Sequence, residues 1–186
     1  GDGLYPPFYL YPASADVYAF ESQMPVEECG NMLIMLAAAG KPLTQSLARE
    51  LAREETLTLV CGRYEGIDAR LMDILPVEQV SVGEAVLNGG EAAAMMLGEA
   101  ATRLIPGFMG KEESGDDESF SAGLLEYPHF TRPEVFEDVP VPDVLRSGDH
   151  GRIAKWRREQ SLRTTLRVRP DMLDGAPLTS DDMEYL

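Results

Sequence analysis

The sequence predicts an α/β fold built on a mostly parallel sheet, and three observations carry that reading. Two apolar runs of strand length, NMLIML (31–36) and TLTLVC (56–61), are continuous rather than alternating, as strands buried on both faces are. Between them, GKPLTQSLARELARE spaces Leu43, Leu47 and Leu51 four residues apart, an amphipathic helix with Pro42 near its start. VEQVSVGEAVLNGGEAAAMMLGEAATRLIPG then reads as a short strand, a glycine-containing loop and a long helix ending before Pro106. Strands alternating with helices in this order give a parallel sheet with helical cover.

The flanking segments follow from composition. GDGLYPPFYLYPASADVYAF is aromatic and proline-rich and matches neither helical nor strand periodicity. GKEESGDDESFSA (110–122) is polar, acidic and aperiodic, the character of a linker or lid between two parts. After a proline-rich stretch, Ser147-Gly148-Asp149-His150 forms a capping turn ahead of a basic helix from about Gly151 to Leu162. A second short helix is expected after RPDML, and there is no internal repeat.

Bulk properties exclude several classes. At 186 residues the chain accommodates one large domain or one domain with a smaller companion. No apolar run approaches the ~20 residues a membrane span requires, and no signal peptide opens the chain, whose first residue is Gly1 rather than Met. Two distant cysteines, Cys29 and Cys61, suit a reducing cytoplasm and argue against a disulfide scaffold. Two scattered histidines make a metal cluster unexpected. The net charge of −16 argues against nucleic acid, but its distribution reverses that inference. Arg152, Lys155, Arg157, Arg158, Arg163, Arg167 and Arg169 crowd one segment with Glu159 as its only acid. Such a stripe binds phosphates locally with salt-sensitive affinity, or is simply a solvated helix face.

The glycines carry the chemistry. In a parallel sheet ligands sit beyond the carboxyl ends of the strands, and two loops there are glycine-bearing: CGRYEGID and VGEAVLNGGEAAA. Glycine lets backbone approach a ligand closely. Neither loop fits the dinucleotide G-x-G-x-x-G or the phosphate-binding G-x-x-x-x-G-K-[ST] pattern, so a standard nucleotide fold is not indicated.

LVCGRYEGIDARL, SVGEAVLNGGEAAAM, RLIPGFMG, DDESFSAGLLEYPHFTRPEVFEDVPVPDVLRSGDH and KWRREQSLRTTLRVRPDML together resemble the successive motifs of the bacterial tRNA (guanine-N1)-methyltransferases, the TrmD family, over about residues 31–175. The resemblance implies an α/β domain with a deep trefoil knot over residues 1–110, an acidic linker at 111–125 and a small helical tRNA-binding domain at 126–186. It implies a homodimer with the active site at the subunit interface, S-adenosylmethionine as cofactor, and magnesium as a candidate assistant. The implied activity is methylation of N1 of the guanine 3′ of the tRNA anticodon. The knot walls would hold the cofactor through Leu36, Gly40, Gly62, Tyr64, Glu65, Gly66, Val82, Gly83, Glu84, Ala85, Val86, Leu87, Gly89 and Gly90. Arg152, Lys155, Arg157, Arg158 and Arg163 would meet tRNA.

Guanine N1 is protonated at neutral pH, so its methylation requires a general base, with a cation to balance charge at O6. The resemblance gives those roles to an acid of the linker, here Glu118 with Asp117 beside it, and to Arg103. The chain departs from the family at several of these places. Glu118 stands where an aspartate is usual, Ala37-Ala38-Ala39 replaces a serine, proline and glutamine, Ala85 an aromatic, Asn88 a serine and Ala93 a proline. LYPPFYLYP corresponds to a glycine-rich loop, and the family's first strand and helix have no counterpart on this register. These departures keep two other readings open: a non-catalytic tRNA-binding paralogue and a knotted dimerisation module.

Overall fold

The computed structural model describes residues 8–13, 32–62, 67–108, 119–120 and 123–186. The chain divides into two compact units, Gly1–Glu112 and Glu113–Leu186. The first contains a four-stranded sheet of β1 (Phe8–Ala13), β2 (Met32–Pro42), β3 (Leu57–Gly62) and β4 (Val77–Ser81). Its order is β1-β3-β2-β4 and every pairing is parallel. Residues 8–13 of the stretch that gave no assignment thus form a strand, and among the described strands it lies at the sheet edge. An edge is where Pro12, opposite Cys61, is tolerated, because proline has no N–H to give a ladder.

The two apolar runs form the central strands, and strand alternation sorts their side chains to two faces. Ile34, Leu57, Leu59, Cys61 and Val80 pack on one face with α1 (Gln45–Leu51) and α3 (Glu91–Thr102), through Leu51, Ala94, Leu97 and Ala101. Leu33, Met35 and Val60 pack on the other with Leu71 of the short helix α2 (Leu71–Ile74). Leu43 and Leu47 lie against the first cluster, as their spacing predicts. The start of α1 differs from expectation: Gly40–Pro42 finish β2, and Thr44 caps the helix by accepting the Leu47 N–H at 3.2 Å.

β2 is longer than NMLIML alone suggests because it resumes pairing after a break. Leu36 and Lys41 both lie opposite Val80, so residues 37–40 are an excursion from the β2–β4 ladder. The glycine at its end is obligatory. A Cβ on Gly40 would lie 2.4 Å from the Val80 nitrogen and 2.5 Å from the Gln79 carbonyl carbon.

The second unit is helical, with one small hairpin. β5 (Val135–Phe136) and β6 (Val139–Pro140) are joined by Glu137 and Asp138, both at positive φ, the two-residue turn that matches strand twist. α4 (Asp143–Arg146) precedes α5 (His150–Val168), and Asp149 caps α5 by accepting the Arg152 N–H at 3.1 Å. α5 runs six residues past the predicted end at Leu162. Thr165 is fully buried there; its hydroxyl donates to the Ser161 carbonyl and accepts the Leu125 N–H at 2.9 Å. Pro170 opens a 3₁₀ turn to Gly175, and α6 (Ser180–Tyr185) starts on a capping box between Thr179 and Asp182. Among the described residues no helix is long and apolar enough to cross a membrane.

Candidate functional site

The carboxyl ends of β2, β3 and β4, together with the loop 82–90, enclose a cavity of about 510 Å³. That position is where parallel sheets bind ligands, and the volume suits a small molecule. The loop is tied at both ends. The Ser81 hydroxyl donates to the Gly83 carbonyl at 3.1 Å, and the Gly90 N–H reaches the Gly62 carbonyl at 3.0 Å. A Cβ on Gly90 would lie 2.8 Å from the Cys61 Cα, so this glycine lets α3 start directly against β3.

Of the residues that the resemblance gives to the cofactor, Leu36, Gly62, Val82, Gly83, Ala85, Val86, Leu87, Gly89 and Gly90 line the cavity. Two predicted residues do not. Glu84 is exposed and does not line the cavity, and Gly40 lies against the backbone of β4 rather than in the cavity lining. Tyr64, Glu65, Gly66, Asp117 and Glu118 lie outside the described residues. Ala37, Ala38 and Asn88 also line the cavity, and the lining is completed by Met35, Ile67, Ala69, Met72, Gln79, Val80, Ser81 and Ala93, which sequence reasoning did not place in the wall. Met35 was legible, since it precedes Leu36 in a strand buried on both faces. Ile67 and Met72 carry no signal beyond ordinary apolar character.

Among the described residues, none of the lining side chains is ionisable. The cavity offers backbone N–H and C=O groups, alkyl side chains and the neutral polar Gln79, Ser81 and Asn88. Beneath it the Cys61 thiol is pushed up to about 11, first by burial and then by the Glu91 carboxylate. It is therefore a neutral packing group rather than a nucleophile. Arg103, at the carboxyl end of α3, donates its N–H to the Glu99 carbonyl and does not line the cavity. Among the described residues, no group of three or more His, Cys, Asp or Glu side chains is placed to hold a metal ion.

On the second unit, helical periodicity puts Arg152, Lys155 and Arg163 on one exposed face of α5. Lys155 is 3.9 Å from Glu159, a loose surface pair. Arg157 leaves that face to stack its guanidinium over the Tyr127 ring, 4.8 Å from the centroid. Arg158 departs further. Its guanidinium donates to Asp182 at 2.8 and 3.1 Å and to the Pro177 carbonyl at 3.1 Å, on the inward face of α5. Arg158 thus clasps α6, and its hydrogen bonds hold the Asp182 carboxyl well below the usual carboxylate range.

The family profile tRNA (Guanine-1)-methyltransferase TrmD matches residues 16–175. The chain belongs to this family. The match begins upstream of residue 31, and so includes part of the segment that resemblance alone left unassigned. A tRNA (guanine-N(1)-)-methyltransferase of Nitratidesulfovibrio vulgaris is 64% identical over 87% of the chain and 38% of its own length. A protein of that name from Oleidesulfovibrio alaskensis is 61% identical over 83% of the chain and 36% of its own length. Another from Exiguobacterium sibiricum is 48% identical over 90% of the chain and 69% of its own length. The chain therefore spans little more than a third of the first two relatives.

Proposed function

We propose that the chain binds S-adenosylmethionine in the 510 Å³ cavity and methylates N1 of the guanine 3′ of the anticodon in tRNA. The observation that carries the reading is the described wall of the cavity: family-specific loops, glycine at the close approaches, and alkyl and neutral polar side chains. Such a wall fits an adenosine, whose base edge is read by backbone N–H and C=O groups and whose ring packs on alkyl side chains. Replacing the family's residues by Ala37, Ala38 and Ala85 leaves those backbone groups in place. The deep trefoil knot belongs to the same proposal. It is supported by the excursion at 37–40 and by the tether of Gly90 to Gly62.

S-adenosylmethionine supplies an activated methyl on a sulfonium. The chain's own residues must then handle the guanine proton. The described wall holds no titratable side chain, and on the family register Glu118, with Asp117 beside it, takes the role of base. The carboxylate accepts the N1 proton as the carbon–nitrogen bond forms, and Arg103 balances the charge gathering on O6. Magnesium is an assistant to test, not a requirement of this scheme.

The homodimer is part of the proposal, with the active site at the subunit interface. Met95 and Met96 lie 72% and 55% exposed on the face of α3 opposite its buried Ala94 and Leu97, and Val86 on the cavity rim is 97% exposed. Adjacent apolar side chains left in solvent mark a protein interface. The second unit supplies the tRNA grip through Arg152, Lys155, Arg157 and Arg163.

Calorimetry with S-adenosylmethionine is the first test, and absence of heat at millimolar cofactor would sink the enzyme reading. Where cofactor binds, methyl incorporation into a guanine-bearing tRNA transcript should vanish in Arg103→Ala and fall about 10²-fold in Glu118→Gln. Activity that survives Glu118→Gln but not Asp117→Asn would move the base to Asp117.

A further inference from the structure

The second unit holds a separate cavity of about 500 Å³, lined by Phe130, Thr131, Arg132, Glu134, Val141 and Arg146. Its composition is unlike the first. Phe130 contributes a ring that is 46% exposed, an unusual fraction for phenylalanine. One side of that ring is braced by Trp156 of α5, with centroids 6.3 Å apart and planes tilted by 54°. Among the described residues Glu134 is paired with Arg146, whereas Arg132 has no ion-pair partner. The cavity therefore joins a held aromatic face to an uncompensated guanidinium.

Basic groups surround this pair of rings. Trp156 lies one helical turn after Arg152 and two before Arg163, with Lys155 adjacent, so ring and cations share one side of α5. Arg157 over Tyr127, and Tyr127 against His129 at 4.9 Å, extend the same alternation of ring and cation along residues 127–132. Flat rings that expose a face, interleaved with cations, bind unpaired nucleotides: bases stack on the rings and phosphates meet the cations. A duplex offers its phosphates but buries its base faces, so charge alone would not discriminate the two.

We infer that the cavity at Phe130 and Arg132 is a binding subsite for one unpaired RNA nucleotide, its base stacked on Phe130 and its phosphate held by Arg132. The volume accommodates a nucleotide, being well inside the range of small-molecule sites. Arg146, held by Glu134, forms the fixed wall against which the nucleotide seats. The inference deepens the tRNA reading above, giving the second unit a base-binding function in addition to a phosphate grip.

Trp156 is the only tryptophan of the chain, so its fluorescence reports directly on the ring it braces. The full chain is titrated, without S-adenosylmethionine, with a single-stranded RNA hexamer and with a duplex of the same length. Single-stranded RNA should quench Trp156 and bind at least about 10-fold more tightly than duplex. Phe130→Leu, which keeps the apolar bulk and loses the ring, should weaken the hexamer about 10-fold, and Phe130→Tyr should restore it. Arg132→Gln should lower the salt slope of binding by about one. Equal binding of hexamer and duplex, or unchanged affinity in Phe130→Leu with an unchanged melt, overturns the subsite. The outcomes separate from those of the methylation test. A chain that methylates tRNA while Phe130→Leu binds the hexamer normally loses the subsite alone. A chain that binds the hexamer through Phe130 but never incorporates methyl loses the enzyme reading alone.

Discussion

Two glycines predicted to meet the cofactor should behave in opposite ways when each gains a methyl group. In Gly40→Ala the new Cβ would lie 2.4, 2.5 and 2.7 Å from backbone atoms of Val80 and Gln79. Comfortable carbon contacts begin near ~3.5 Å, so β4 would have to retreat by about 1 Å. Val80 is 1% exposed and opposes both Leu36 and Lys41, so that retreat strains the β2–β4 ladder and the core together. Overpacking against backbone costs about 3 kcal/mol, at the upper end of its range. At roughly 4 °C per kcal/mol for a unit of this size, Gly40→Ala should melt about 10 °C lower. In Gly62→Ala the contacts are 3.3 and 3.4 Å, both to the flexible end of Ile67, so the cost is below about 1 kcal/mol. Gly62 lines the cavity, however, and so does the Ile67 side chain that its methyl would press on, so the lining is altered. Scanning calorimetry and cofactor titration of both variants therefore give a crossed result: Gly40→Ala loses stability, Gly62→Ala loses affinity. A Gly40→Ala protein melting within about 2 °C of the parent would refute the close approach of β2 to β4.

Further outcomes concern groups outside the cavity wall. Asp182→Asn breaks an ion pair that is buried on the carboxylate side and one-third exposed on the arginine side, so about 2 kcal/mol should be lost at neutral pH. Because the Asp182 carboxyl is depressed in the folded chain, its stabilisation is complete above the ordinary aspartate value near ~3.9 and fades below it. The difference in denaturant midpoint between parent and Asp182→Asn should accordingly shrink from pH 5 to pH 2. Cys61, raised to about 11 and 1% exposed, should resist iodoacetamide at pH 8 in a Cys29→Ser background and react only on denaturation. Rapid labelling of the native protein would contradict its burial. Thr165→Val removes the acceptor of the Leu125 N–H and should cost about 1–2 kcal/mol in thermal unfolding, with Thr165→Ser largely sparing it.

Much of the first unit was legible because its signals are local. Continuous apolar runs gave β2 and β3, the four-residue leucine spacing gave α1, and the glycine-flanked loop before Glu91 gave most of the cavity. Gly40 marks the limit of that legibility: a glycine at a strand end looks the same whether a ligand or another backbone presses on it. Only the register of β2 on β4 separates the cases. β1 was missed because prolines lower strand propensity everywhere except at an edge, and edge position is a property of the assembled sheet. Arg158 could have been sorted from its neighbours by periodicity. It lies on the same turns as Ser161, Leu162 and Thr165, which are buried, and opposite Arg152 and Arg163. Counting charges along α5 hid that distinction, whereas the helical wheel contains it.

The described part of the cavity wall carries alkyl and neutral polar side chains, and the proposed scheme takes its base from the linker. A site that carried its own base there would set a carboxylate or imidazole among alkyl groups, where desolvation disfavours the charged form. On the proposed scheme the described wall packs the adenosine and leaves the guanine proton to the linker. Cofactor affinity and methyl transfer should therefore separate by mutation. Gly62→Ala, whose methyl presses on Ile67 in the lining, should weaken S-adenosylmethionine, with its effect on kcat/KM following from occupancy. Glu118→Gln should leave cofactor affinity near that of the parent while lowering the rate at saturation. If Glu118→Gln instead weakened cofactor binding in proportion to its loss of activity, the carboxylate would be part of the binding wall, and the division of labour between wall and linker would be wrong.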